Sequence, residues 1–318
     1  MLKQSLPLVS VIIPTKGCSD TIVRAINSVL SQNYFNVECI NVDFPLDDNA
    51  TFKVVESNFA KDGRVKYLKS DIAGLAYQRN LGVKNATGEF IVFLDGDDTL
   101  EKNYISKMHE AYVKTKCDMV CCSYKRVSGV NGEQKEEKVY FKTKTHSNIG
   151  VLKKLYSKAH TCLSICGCKF AKKELYFKIP INEHILNEDE ATTYKHFLAC
   201  KSITLLNDRL YNYFYYDRET LSSSHLKRLE IQVDGLLNVY KERYGLFLQT
   251  KNRYLIFKSY YELLSQSLSY AFVFKKKGND YQSEKCLSIY KDNFKLRKLV
   301  FHPFKLVKLL LKVERAKI

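Results

Sequence analysis

The sequence predicts an α/β protein in which a mostly parallel sheet is followed by a helical C-terminal region. Two patterns carry that prediction. From residue 8 to about 127, short apolar runs alternate with segments of helical period; from about residue 226 the chain is almost entirely of helical period, strongly basic, with few breakers before Pro303. Alternation of the first kind reads as βαβ units, whose crossover helices cover both sheet faces and therefore require strands that are apolar throughout.

The elements follow in order. "LVSVII" is such a strand, interrupted by Pro14, and "DTIVRAINSVLSQ" repeats its apolar residues at three- and four-residue spacing, as a helix does. "VECINVD", "TFKVVESNFA", "RVKYL", "LAYQRNLGVKNA", "EFIVFLD", "NYISKMHEAYVKT" and "CDMVCCSY" continue the alternation. A polar stretch, "VSGVNGEQKEEKVYFKTKTHSN", then carries an Asn-Gly turn signal. Beyond it "SNIGVLKKLYSKA" and "INEHILNEDEATTYKHFLAC" have helical spacing, whereas "SITLLN" and "RLYNYFYYD" read as strands. The expected organisation is three segments, 1–127, 128–225 and 226–318, without an internal repeat.

Composition narrows the partners. Lys and Arg number 51 against 34 Asp and Glu, a formal charge of +17, so the surface favours anionic ligands. Nucleic acid is not expected, because no zinc finger, RNP-like aromatic motif or nuclear-type basic run is present. "MLKQSLPLVSVIIPTKG" has no signal-peptide pattern, and no run reaches the roughly 18 to 20 apolar residues of a membrane span, so the expected location is the cytoplasm. The ten cysteines fit reduced thiols; "CLSICGC" (Cys162, Cys166, Cys168) lacks the CxxC pair and second half of a zinc site.

"FIVFLDGDDTL" places Asp95, Asp97 and Asp98 within four positions directly after an apolar strand. Their mutual repulsion would be relieved by a shared cation. Carboxylates at a strand end can hold Mg²⁺ or Mn²⁺ while leaving positions for water and a diphosphate. The same residues could instead form a surface turn capping a helix that starts near Glu101, with Asp98 or Thr99 as the N-cap.

In order and spacing, "VSVIIPTKG", "AINSVLSQNYFNVECINVD", "GLAYQRNLGVKNATGEFIVFLDGDD" and "NEDEATTYKHFLA" resemble the family 2 glycosyltransferases of the GT-A fold, especially bacterial polysaccharide- and capsule-assembly enzymes. The resemblance is dense over residues 8–110, thinner over 160–225 and absent beyond 226. It implies a Rossmann-like nucleotide-sugar-binding half at 1–127 and an acceptor-binding half at 128–225. On that pattern Asp43 contacts the uracil of a UDP-sugar, Pro14, Thr15 and Gly96 line the donor site, Arg79 lies near the pyrophosphate, and Asn80 supports the loop. Asp95 meets the ribose, and Asp97 with Asp98 holds Mn²⁺ or Mg²⁺. Glu188 and Asp189 match the pair that supplies the catalytic base, with Asp189 favoured; an acidic helix start capped by Asn187 is the alternative reading of that stretch. Lys169 and Arg218 resemble weaker acceptor-half elements. Two departures stand out: Asp43 is followed by "FPLDD" where the family has Asp-Gly-Ser, and Lys16 stands where an aromatic residue often follows the first strand. Asp47 or Asp48 is a candidate to replace the missing carboxylate.

The last segment, "FKLVKLLLKVERAKI", sets Lys305, Lys308, Lys312 and Arg315 at helical spacing among apolar residues, a pattern suited to an anionic membrane surface. It points to a peripheral enzyme at the inner face of the cell membrane acting on a lipid-linked saccharide acceptor; ordinary packing of an amphipathic helix is the alternative. The helical third also offers surface for a homodimer. Two other functions compete: a UDP-binding relative without activity, and a haloacid-dehalogenase-type phosphatase, since "FLDGDDTL" resembles that family's Asp-x-Asp-Gly-Thr except that Asp98 occupies the glycine position.

Overall fold

In a computed structural model, residues 6–46, 48–128, 132–135, 138–215, 226–299 and 302–316 are described. The chain forms two compact units, one of residues 1–183 and 188–218, the other of 184–187 and 219–318.

The first unit opens with β1 (Val9–Thr15), α1 (Ile22–Leu30), β2 (Val37–Asp43), α2 (Ala50–Phe59), β3 (Val65–Lys69), α3 (Leu75–Asn85) and β4 (Phe90–Phe93). β3, β2, β1 and β4 are parallel neighbours in that order, which brings Thr15, Asp43 and the loop after β4 to one edge of the sheet. Every residue of β1 and β2 is buried, as a strand covered on both faces requires. In α3, by contrast, the buried residues include the polar Gln78, Arg79 and Asn80, so its inward face serves the site as well as the core. Gly82 permits this close approach, because a Cβ there would lie 2.3 Å from Ile12 Cγ2.

The chain continues through β5 (Thr99–Leu100), α4 (Tyr104–Thr115), β6 (Met119–Ser128), β7 (Gln134–Lys135), β8 (Lys144–Ser147), α5 (Asn148–Lys154) and α6 (His160–Ser164). A 3-10 turn (Cys166–Cys168), β9 (Lys169–Lys172), α7 (Lys173–Lys178), α8 (Glu188–Ala199) and β10 (Ser202–Tyr215) complete it. The sheet order β3-β2-β1-β4-β9-β6-β10-β5 makes the two expected halves one continuous sheet, with β9 antiparallel to both β4 and β6. The two strands expected at "SITLLN" and "RLYNYFYYD" are one strand, β10, with register shifts around Arg209. Such irregularities bend a long strand, and here β10 serves β8 near its start and β5 near its end.

The second unit contains α9 (Leu226–Gln249), α10 (Arg253–Lys276), α11 (Asp280–Asn293) and α12 (Pro303–Ala316) around a core that includes Leu237, Leu263, Leu268, Phe274 and Leu309. No described helix is long and apolar enough to cross a membrane. α12 departs from the expected division into a cationic and an apolar face. Leu309 is buried, and Lys312 Nζ turns inward to donate to Ser265 Oγ and Ser269 Oγ at 2.7 Å each. Phe304, Val307, Leu310 and Leu311 face outward, Phe304 with 85% of its surface exposed.

Candidate active site

Arg79 organises the site. It is 2% exposed, and its guanidinium donates to Asp95 Oδ1 at 2.7 Å and to Glu188 Oε1 at 2.6 Å, with Asp189 Oδ1 at 3.5 Å. One arginine thus ties the loop after β4 to the first turn of α8. Burial alone would discharge it, but the surrounding carboxylates outweigh that and hold the group firmly cationic. Arg79, expected near a pyrophosphate, engages three carboxylates, because charges this deeply buried need partners.

The Asp95–Asp98 loop divides its carboxylates by direction. Asp95 faces Arg79. Asp97 is partly buried; burial, reinforced by the Asp95 charge, raises its carboxyl above the ordinary value. The Arg24 guanidinium donates to the Asp97 backbone carbonyl, and a hard divalent cation on the Asp97 carboxylate would draw its remaining ligands from water and phosphate oxygens, since no cluster of three or more His, Cys, Asp or Glu forms among the described residues. Asp98 is turned the other way. It is 1% exposed, accepting from Tyr211 Oη at 2.6 Å and from the Phe214 amide at 2.7 Å, and burial pushes its carboxyl well upward. Of the two residues expected to hold a metal, Asp98 anchors the loop to β10, and Asp97 takes no part in that anchor. It also displaces the turn-cap reading, since Thr99 belongs to β5 and α4 starts at Tyr104. Gly96 packs where a Cβ would lie 2.6 Å from Thr15 Cγ2, and its carbonyl accepts from Thr21 Oγ1 at 2.8 Å.

At the end of β2, Asp43 is fully buried and accepts from Thr15 Oγ1 at 2.8 Å and Tyr67 Oη at 2.9 Å. Burial raises its carboxyl. The carboxylate expected to meet uracil braces β1, β2 and β3, and Pro14 is likewise buried within β1. Lys16 Nζ lies 5.3 Å from the centre of the Phe44 ring, so the two departures from the family pattern sit together. Asp48 caps the start of α2 through the Ala50 amide; Asp47 and Arg218 lie outside the described residues.

Asn80 holds the approach to α8, donating to Ile181 O and Glu183 Oε1 and accepting from the Ile181 amide. Glu188 is buried against Arg79, and burial raises its carboxyl despite that positive charge. Asp189 is different: its side chain is 31% exposed, and Cys166 Sγ donates to its Oδ1 at 2.7 Å. No donor reaches Asp189 Oδ2 among the described residues. Lys169 is buried and donates to Ser164 O and Ile165 O, closing the end of α6. Tyr211 and Cys166 escaped the sequence reading. The run 211–216 looked like ordinary strand, and Cys166 looked like a structural thiol.

Residues 10–178 match the family model described as Glycosyl transferase family 2. The chain is 25% identical over 217 residues to "Glycosyltransferase GlyA" of Streptococcus pneumoniae, covering 64% of this chain and 30% of that one. It is 36% identical over 122 residues to "UDP-Glc:alpha-D-GlcNAc-diphosphoundecaprenol beta-1,3-glucosyltransferase WfgD" of Escherichia coli, covering 38% of this chain and 47% of that one. The match thus spans less than half the length of either curated relative. S. aureus TarS 1-349, solved in complex with UDP-GlcNAc, aligns with a TM-score of 0.59 at 19% identity over 90% of this chain and 92% of that one, a likeness of fold. Since the family match runs from β1 through α7, includes Arg79 and the Asp95–Asp98 loop, and covers more than half of the sequence, the chain belongs to glycosyl transferase family 2.

Proposed function

We propose that this protein is a metal-dependent, inverting glycosyltransferase that moves a sugar from a UDP-sugar to a hydroxyl of a lipid-linked saccharide during bacterial surface polysaccharide synthesis. One observation carries the reading: Arg79 joins Asp95 of the donor loop to Glu188 and Asp189, while Asp189 keeps Oδ2 uncommitted on a partly exposed side chain. An inverting transfer needs a base at the attacking hydroxyl, opposite the leaving nucleotide. Asp189 Oδ2 takes that proton, and Arg79 and Cys166 hold the carboxylate by its other oxygen. Asp97, beside Asp95, would hold the divalent cation, which supplies charge neutralisation at a departing diphosphate. The donor and acceptor classes draw support from the similarity to WfgD, which transfers glucose from UDP-glucose to a diphosphoundecaprenol-linked sugar.

The outward face of α12 supports a peripheral membrane position. Phe304, Val307, Leu310 and Leu311 form an exposed apolar surface that also carries Lys308, a combination that suits an anionic bilayer better than water.

The test is calorimetric titration of UDP with and without Mn²⁺, on the native protein, Asp97→Ala and Asp189→Asn. Binding should require both Mn²⁺ and Asp97. Asp189→Asn should keep UDP affinity and lose roughly 10² to 10⁴-fold in kcat. Absence of UDP binding under all conditions, or full turnover by Asp189→Asn, overturns the reading.

A further inference from the structure

A cavity of about 320 Å³ in the first unit lies apart from the carboxylate cluster. It is lined by the β6 residues Ser123 and Tyr124, by Lys138 and Tyr140 of the stretch before β8, and by Lys158 and Thr161 around the start of α6, among others. That volume falls at the lower end of small-molecule sites, which run from roughly 300 to 1,000 Å³. Its chemistry is one-sided. Among the described residues no aspartate or glutamate lines it, and hydroxyl groups accompany the two ammonium groups. Both lysines converge on one ring, each Nζ 5.9 Å from the centre of Tyr140, and neither forms an ion pair with a carboxylate among the described residues. Both lysines are exposed, so water screens their mutual repulsion, and an anion held between them would take charge-assisted contacts from both.

Position connects the cavity to the site. In the β6–β10 register Tyr124 is paired with Tyr211, the residue that anchors Asp98. α6 supplies Thr161 and Cys162 to the lining, while its His160 pairs with Glu190 of α8 at 3.1 Å and its Ser164 carbonyl accepts from Thr193. The cavity and the carboxylates of α8 therefore flank one short helix.

We infer that this cavity is a phosphate subsite for the acceptor: Lys138 and Lys158 clasp a phosphate or diphosphate ester attached to the saccharide whose hydroxyl reaches Asp189. The inference rests on the glycosyl-transfer reading for what the phosphate belongs to, and it selects phosphorylated over neutral acceptors.

The direct experiment titrates inorganic pyrophosphate into protein already saturated with UDP and Mn²⁺, so that the donor site is closed to it. One molecule should bind, and Lys138→Met with Lys158→Met should weaken it by about tenfold for each lysine, as loss of a charge-assisted contact predicts. Lys138→Arg with Lys158→Arg should retain binding. In turnover, the methionine variants should raise KM for an alkyl diphosphate-linked sugar while leaving kcat, UDP affinity and the KM of the neutral alkyl glycoside unchanged. An acceptor bearing a glycerol phosphodiester distinguishes a polymer phosphate from a lipid diphosphate as the natural group. Absence of pyrophosphate binding, or equal binding by the methionine variants, overturns the inference while leaving the donor reading intact. Failure of UDP itself to bind would overturn the donor reading, and the pyrophosphate titration on free protein would still decide the subsite.

Discussion

At the scale of single residues, the site depends on which oxygen of each carboxylate is already engaged. Cys166 and Arg79 both address Asp189 Oδ1, leaving Oδ2 as the acceptor of a proton. The thiol and the guanidinium fix the orientation of that carboxylate, so Cys166→Ala should lower kcat by about tenfold with UDP affinity unchanged, as turnover assays beside UDP titration would read. Cys166→Ser retains a donor and should restore much of that rate, a rescue that a loss of packing alone would not produce. Tyr211 performs the corresponding task for the donor loop, bonding Asp98 at 2.6 Å and accepting from the Asp95 amide at 3.3 Å. Tyr211→Phe should lower unfolding free energy by about 1–3 kcal/mol in urea titration, because Asp98 stays buried with one donor fewer.

Among the elements, the junction of β1, β2 and the turn before β4 is pinned by one carboxylate. Glu38 accepts from Ser10 Oγ, the amides of Thr87 and Gly88, Thr87 Oγ1 and Lys66 Nζ. Burial would raise its pKa, but the bonds from Lys66, Ser10 and Thr87 outweigh it and bring the group to about 2. A carboxyl depressed in the fold adds stability above its unfolded pKa of about 4.3, and that stability is lost as pH falls toward 2. Glu38→Gln should therefore lower the melting temperature at pH 7 and flatten its dependence between pH 5 and pH 2 relative to the native protein, as thermal scans across that range would read. The strand assignments themselves were legible, since βαβ alternation shows directly in apolar runs. β9 was not, because four residues beginning with a buried lysine carry no strand period.

For the molecule as a whole, the open question is where the positive charge is used. α12 keeps Lys312 inside, bonded to Ser265 and Ser269, and burial lowers the pKa of that amine. The outward residues of α12 include Phe304, Val307, Leu310 and Leu311 together with Lys308. Phe304→Ser with Leu311→Ser should accordingly abolish co-sedimentation with anionic vesicles while leaving UDP affinity unchanged; Lys312→Gln should instead act on stability. Undiminished sedimentation of the serine variant would remove α12 from any membrane role.

The sequence by itself determined the fold class, the strand ends that carry Asp43 and the Asp95–Asp98 loop, and the family, because apolar periodicity and motif order are local properties of a chain. It could also single out Glu188 and Asp189, through resemblance. The direction in which each side chain points belongs to the tertiary structure. Asp98 faces β10 because Tyr211, 113 positions away, supplies its donor, and Asp43 faces inward because Thr15 and Tyr67 enclose it. A buried carboxylate must take its hydrogen bonds from whatever the packing brings near, and those neighbours are distant in sequence. The same reason hid the lysine cavity: Lys138 and Lys158 are ordinary surface charges along the chain, and only the packing of α6 beside β6 and the stretch before β8 makes them a pair.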